Sequence, residues 1–234
     1  MRNKRICTCL LILSLLVTML TGCSSSTTGQ EGSTDSAGGQ IPQIEGLTYE
    51  KSVDFTYAKC LAIYQYEGGY SLVDIFDDAR YLIVPEGGSI PENLDEDITV
   101  IQQPVNDIYL GATAVMSLFD AIDGLDHISM TSLKESGWTV ENAAARMKEG
   151  KIVYAGKYSE PDYEMILEKD CQLAIESTMI YHTPDVKEML EELGVPVLVD
   201  RSSYESNPLG RTEWIKLYGV LTGKEAEANA FFEK

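Results

Sequence analysis

The residue types that most readily support metal or nucleophilic chemistry are sparse in this chain: two histidines, His127 and His182, and five cysteines. Neither histidine has a second histidine three or four positions away, and no GxSxG, Walker A, GxGxxG or CxxC pattern occurs. Both histidines therefore read as strand-end and loop residues. The acidic loop at residues 85–97, "PEGGSIPENLDED", lacks the alternating Asp/Asn ligands of a calcium loop and reads as solvated surface. No catalytic residue, metal site or cofactor is expected, so the chemistry to look for is binding.

The elements that must position a binding surface follow from periodicity. "CLAIYQY" and "YSLVDIF" are strand-like runs separated by Glu67, Gly68 and Gly69, a three-residue hairpin loop, and "RYLIV" follows the turn at Asp77, Asp78 and Ala79. This predicts an antiparallel β-meander. From Ile98 the pattern changes to alternating strand and helix: strands at 107–110, 127–130, 172–176 and 195–200, and helices at 113–122, 141–148, 161–168 and 184–193. Such alternation predicts an α/β fold, a parallel sheet with helices on both faces. In open α/β sheets ligands bind outside the carboxyl ends of the strands. That rule selects residues 111–113, 130–132, 176–181 and 201–205.

The beginning of the chain is of a different kind. Arg2, Lys4 and Arg5 precede an apolar run at residues 6–20, and "LTGC" ends at Cys23. Residues 1–22 read as a signal peptide, since fifteen apolar residues are short against the roughly 20 that span a bilayer. Thr21 and Gly22 before the cysteine look like a bacterial lipobox, which makes Cys23 the lipidation site and the membrane a partner through the lipid anchor. Residues 23–43 are Ser/Thr/Gly-rich and read as a flexible tether. An extracytoplasmic location, anchored to the cell membrane, follows.

The formal net charge is −19, and removing the leader with its three cations makes the remainder more acidic. Nucleic-acid partners, which require basic surface, are not expected. Cys7 and Cys9 leave with the leader and Cys23 carries the lipid. Cys60 and Cys171 then remain, either as a disulfide of an exported protein or as two small apolar core residues. The domain reading is 44–97 for the meander and acidic loop, 98–207 for the α/β lobe, and 208–234 for the start of a further helical segment.

With those elements in place, a family resemblance emerges. "DIYLGATAVMSLFDAIDGLDHISMTS" resembles the first strand, ligand loop and helix of the substrate-binding proteins of cobalamin, ferric-siderophore and haem ABC importers, the class III periplasmic-binding-protein-like family. "PDYEMILEKDCQLAIE" and "LEELGVPVLVD" resemble its recurrent helix-then-strand units, and "SYESNPLGRTEWIKLYGVLTGKEAEA" the segment leading into its long connecting helix. The resemblance covers about residues 98–234, with the meander as an N-terminal addition. It implies one lobe of a two-lobed protein that holds its solute in the cleft between lobes and delivers it to ABC permease subunits.

Carried over residue by residue, the resemblance implies a ligand-facing set. Ala112 and Thr113 open a helix at the cleft edge; Met130, Thr131, Tyr158, Glu176, Met179, Tyr181 and Tyr204 sit on cleft loops. Tyrosines and methionines suit a metal chelate or macrocycle such as a siderophore, haem or corrinoid. Arg201 and Arg211 are candidates for solute carboxylates, with surface salt bridges as the plainer alternative. Asp185, with Glu188 one turn later, occupies the place of the family's permease-docking acid, although acidic residues also favour helix N-termini for their own sake.

The last stretch reads as an N-capped helix from Asn207 and Pro208 with Trp214, Leu217, Tyr218 and Leu221 as one stripe, punctuated by Gly223. The helix after Lys224 is expected to be the opening of the connecting helix, with Phe231 and Phe232 exposed at a fraying end. Two other functions fit the same scaffold: a single-lobe surface lipoprotein that binds another protein, and an exported hydrolase or chelatase, which would need a nucleophile–base pair that the sequence does not offer.

Overall fold

The computed structural model describes residues 41–233. The leader, Cys23 and most of the tether lie outside the described residues.

The first sheet contains β1 (Tyr49–Ser52), β2 (Leu61–Tyr66), β3 (Tyr70–Ile75), β4 (Ala79–Val84) and β5 (Ile98–Gln102), side by side in that order. β1 to β4 pair antiparallel, as a meander should, and Gly68 and Gly69 take φ of +83° and +87° in the β2–β3 hairpin loop, a region closed to most side chains. Strand alternation buries both faces. Ile63, Val73, Ile75, Tyr81 and Ile83 enter the main core, while Tyr64, Tyr66, Leu72, Leu82 and Val84 pack on the other side with Ile41 and Ile44.

β5 corrects the sequence reading. Expected to open the α/β alternation, it pairs parallel with β4 and completes the first sheet. The acidic loop before it is the crossover that a parallel neighbour requires. Arg80 holds that loop by hydrogen bonds to Asp95 (2.9 Å) and Asp97 (2.7 Å from Nε).

The second sheet is wholly parallel: β6 (Ile108–Leu110), β7 (Ile128–Thr131), β8 (Val153–Tyr154), β11 (Ala174–Ser177) and β12 (Val197–Asp200), in the order β12-β11-β6-β7-β8. β9 (Gly156–Lys157) and β10 (Glu160–Pro161) form a small separate hairpin. On one face lie α1 (Met116–Ala121), α2 (Glu141–Lys148), α6 (Ile215–Thr222), α7 (Glu225–Phe232) and the inner face of the meander; on the other lie α3 (Tyr163–Glu168) and α4 (Pro184–Glu192). The fold is therefore α/β, with helices on both faces of a parallel sheet and an antiparallel meander before it. The helix expected over 113–122 begins as a 3-10 turn, Thr113–Val115, before becoming α1.

Two buried carboxylates fasten the meander to the C-terminal helices. Glu213, in α5 (Pro208–Glu213), accepts from the backbone amides of Thr56 (2.9 Å), Tyr57 (2.7 Å) and Ala58 (2.9 Å), and from Lys216 Nζ (3.0 Å). Glu205 accepts from the amides of Lys59 and Cys60 and from Trp214 Nε1. Burial alone would raise the Glu213 carboxyl, but these donors prevail and hold it below its ordinary value.

Trp214, Leu217, Tyr218 and Leu221 are all buried. The helix beyond Gly223 differs from expectation. α7 folds back on α6, where Ala228 is fully buried and the Phe232 ring lies 6.2 Å from that of Tyr57 with the Lys216 ammonium over it. Phe231 stays partly exposed. Cys60 and Cys171 are free thiols in separate clusters, so the disulfide alternative is set aside.

Candidate solute-binding surface

The order β12-β11-β6-β7-β8 places a topological switch between β6 and β11: the chain leaves β6 toward β7 and β8, then returns to the other side. In open α/β sheets ligands bind outside the carboxyl ends of the strands that flank such a switch. Gly111 follows β6, and Glu176 lies near the end of β11.

Glu176 has 0% exposure and neither carboxyl oxygen has a hydrogen-bond partner. Its carboxyl occupies the space that a side chain at position 111 would take: a Cβ on Gly111 would sit 2.1 Å from Glu176 Oε2. Glycine at 111 is thus required by close approach. Burial pushes the Glu176 carboxyl up to about 8, and the nearby Ser177 amide opposes this only in part, so the group is largely a neutral acid at pH 7. Burial raises the phenols of Tyr109 on β6 and Tyr163 on α3, and both lie close enough to Glu176 that its charge would raise them further.

The neighbouring strand also ends on an acid, with the opposite outcome. Asp200, beside Ser177 in the register, accepts from Tyr218 Oη (2.5 Å), Ser202 Oγ (2.5 Å) and the Ser202 amide (3.1 Å). Burial still raises its carboxyl against those bonds, but every contact is a structural one. Asp200 anchors the strand end to α6. Glu176 anchors nothing within the described residues.

Outward from Glu176 the loops after β11 and β12 carry a partly exposed aromatic and cationic surface. The 3-10 turn Thr178–His182 presents Met179 and Tyr181, and the turn Ser202–Tyr204 presents Tyr204, which is 54% exposed. The Arg201 guanidinium lies 4.9 Å from the Tyr204 ring centroid, and its Nη1 donates to Phe76 O at 2.7 Å. Arg201 Nε is buried without a partner. Tyr181 Oη donates to Asp78 Oδ1 at 2.7 Å, and its phenol is raised by burial first and then by that carboxylate.

The expected ligand-facing residues thus divide. Tyr181, Arg201 and Tyr204 come together and Met179 is exposed on the same turn as Tyr181, while Glu176 is buried near the end of β11. Ala112 and Met130 are buried in the core and Thr131 donates to Leu110 O at 3.1 Å, so these three present no side-chain surface. Thr113 is exposed at the first turn after β6, and Tyr158 is half-buried in the β9–β10 hairpin loop. Arg211 is exposed and donates to Ser203 O. Asp185 and Glu188 are both exposed on α4, in its first and second turns. His127 bonds Val105 O at the start of β7, and His182 ends a loop turn.

Sequence reasoning missed Phe76, Asp78 and Asp200. Asp200 closes the apolar run "VPVLV" and was findable from that; Phe76 and Asp78 lie more than a hundred residues before their partners and carry no local signal.

No protein-family model matches the sequence. An uncharacterized lipoprotein of Methanocaldococcus jannaschii is 26% identical over 95% of this chain and 58% of its own length, so the chain spans little more than half of that relative. Among solved structures, the periplasmic haem-binding protein HutB of Vibrio cholerae aligns over 54% of this chain and 44% of its own, at 19% identity and a TM-score of 0.42. The periplasmic catecholate-siderophore-binding protein VctP of Vibrio cholerae aligns over 56% and 44%, at 21% and 0.42, and the petrobactin-binding protein YclQ of Bacillus subtilis over 54% and 42%, at 15% and 0.42. These periplasmic binding proteins thus align with about half of the chain, at TM-scores below 0.5, and the sequence relative named above is an uncharacterized lipoprotein.

Proposed function

We propose that this chain is an extracytoplasmic solute-binding lipoprotein of an ABC importer, capturing an iron–siderophore, haem or corrinoid and passing it to a membrane permease. The observation that carries the reading is the grouping of Met179, Tyr181, Arg201 and Tyr204 at the carboxyl ends of β11 and β12, beside the topological switch. Flat apolar rings and a soft thioether suit the body of a chelate or macrocycle, and the guanidinium suits its carboxylates. The unpartnered Arg201 Nε leaves a buried donor for such a group. Thr113, after β6, and Tyr158, in the β9–β10 hairpin that follows β8, are further candidates. Cys23 is the proposed lipid anchor, and Asp185 and Glu188 the proposed contacts to basic pockets of the permease. The reading involves solute capture and release without bond chemistry. Titrating the protein with ferric siderophores, haem and cobalamin, followed by tryptophan fluorescence and equilibrium dialysis, tests it: saturable binding of one class is expected, and no saturation by any class overturns it.

A further inference from the structure

The β3–β4 turn of the meander reaches the loops that end the parallel strands and makes two polar contacts there. Asp78 Oδ1 accepts from Tyr181 Oη at 2.7 Å, and the Phe76 carbonyl accepts from Arg201 Nη1 at 2.7 Å. Each contact takes a long side chain from the solute-facing surface and fixes it at one point. Without the Phe76 carbonyl, the Arg201 side chain would keep its stacking on Tyr204 but no hydrogen bond among the described residues. Without Asp78, Tyr181 has no other hydrogen-bond partner for its hydroxyl among the described residues. The Phe76 ring is itself 39% exposed beside them. The turn does not depend on these contacts for its shape: it is set by the register of β3 on β4, from Ser71 opposite Ile83 to Ile75 opposite Ala79, by the Asp78 amide donating to Ile75 O, and by Asp77 at φ +57°.

We propose that this turn is a working part of the solute-binding surface, with Asp78 and the Phe76 carbonyl as positioning groups that hold Tyr181 and Arg201 in binding orientation. The meander is then one wall of the site rather than an appendage to the α/β lobe. Holding these two side chains in advance removes ordering cost from the binding step, since each immobilised rotamer-rich side chain costs about 0.5–1.5 kcal/mol, a factor of about two to twelve in affinity.

The inference rests on the solute-binding reading, and one experiment separates the two. The parent protein, Asp78→Ala, Asp78→Asn, Tyr181→Phe and the Asp78→Ala/Tyr181→Phe pair are titrated with the same siderophore, haem and cobalamin panel. Hydrogen exchange of residues 177–182 is measured on each in the absence of solute. Asp78 is exposed, so the variants retain the fold, which their melting temperatures check. Expected are a three- to tenfold weaker affinity and faster loop exchange for Asp78→Ala, near-parent values for Asp78→Asn, which keeps the acceptor, and no further loss in the pair beyond Tyr181→Phe. Parent-like affinity in Asp78→Ala, with the parent binding, overturns the role of the turn and leaves the solute-binding reading standing. No binding by the parent overturns the solute-binding reading itself, and with it the inference.

Discussion

Replacing Glu176 by Gln isolates the buried, unpartnered carboxyl at the topological switch. In the unfolded chain this group titrates near 4.5, and in the folded protein at about 8. Between those values the folded state holds a proton that the unfolded state has released, so stability falls as pH rises, by about 1.4 kcal/mol per pH unit. From pH 5 to 8 the loss attributable to Glu176 is about 4 kcal/mol by that slope, and above the folded value it levels off. Glutamine cannot titrate, but it brings an amide N–H pair into a space where neither Glu176 oxygen finds a partner, at a cost of about 1–3 kcal/mol. Glu176→Gln should therefore be less stable than the parent at pH 5 and more stable at pH 8, the two curves crossing between. Urea unfolding of both proteins across that range reads the difference directly, and the shared contributions of groups such as Asp200 and Tyr218 cancel. A stability difference independent of pH would refute the reasoning, because it would mean that Glu176 is ionised in the fold through contacts absent from this structure.

Two further substitutions probe the scaffold. Gly111→Ala places a methyl 2.1 Å from Glu176 Oε2 and should cost about 1–3 kcal/mol, while the same change made on Glu176→Ala should cost less, a non-additivity that a double-mutant cycle in urea measures. Glu213→Ala leaves the amides of residues 56–58 without their acceptor and should cost about 3–5 kcal/mol. Because the parent's Glu213 carboxyl is held below its ordinary value of 4.5, its contribution is fully present above that pH and is lost as pH falls through the lower folded value. The parent and Glu213→Ala should therefore converge in acid.

How much was legible from sequence varies with the range of the interaction. The helices and four of the five parallel strands followed from local periodicity, the two-residue β8 being too short to show a pattern, and the rule of strand carboxyl ends then selected Tyr181, Arg201 and Tyr204 without any contact being known. The direction of β5 was not legible, since alternation is the same in parallel and antiparallel strands. Only the length of the 85–97 loop hinted at a crossover. Met130, expected both to end a strand and to face the cleft, and Thr131, expected on a cleft loop, are the last two residues of β7 and are both buried. Phe232, read as exposed, is partly buried because α7 turns back at Gly223 and meets Tyr57 in the meander, a pairing about 175 residues apart that no local pattern encodes. The same holds for Asp78 with Tyr181. The part proposed for the meander in the site rests on such long-range contacts, visible only in three dimensions.

The measurement closest to the central claim is equilibrium binding of a metal chelate to the parent and to Arg201→Ala. The account predicts saturable, one-to-one binding by the parent to one class among ferric siderophores, haem and corrinoids, and an affinity weakened about tenfold or more in the variant, since a charge-assisted hydrogen bond contributes about 1.5–3 kcal/mol. Failure of every class to saturate the parent, or equal affinity in the two proteins, would contradict it.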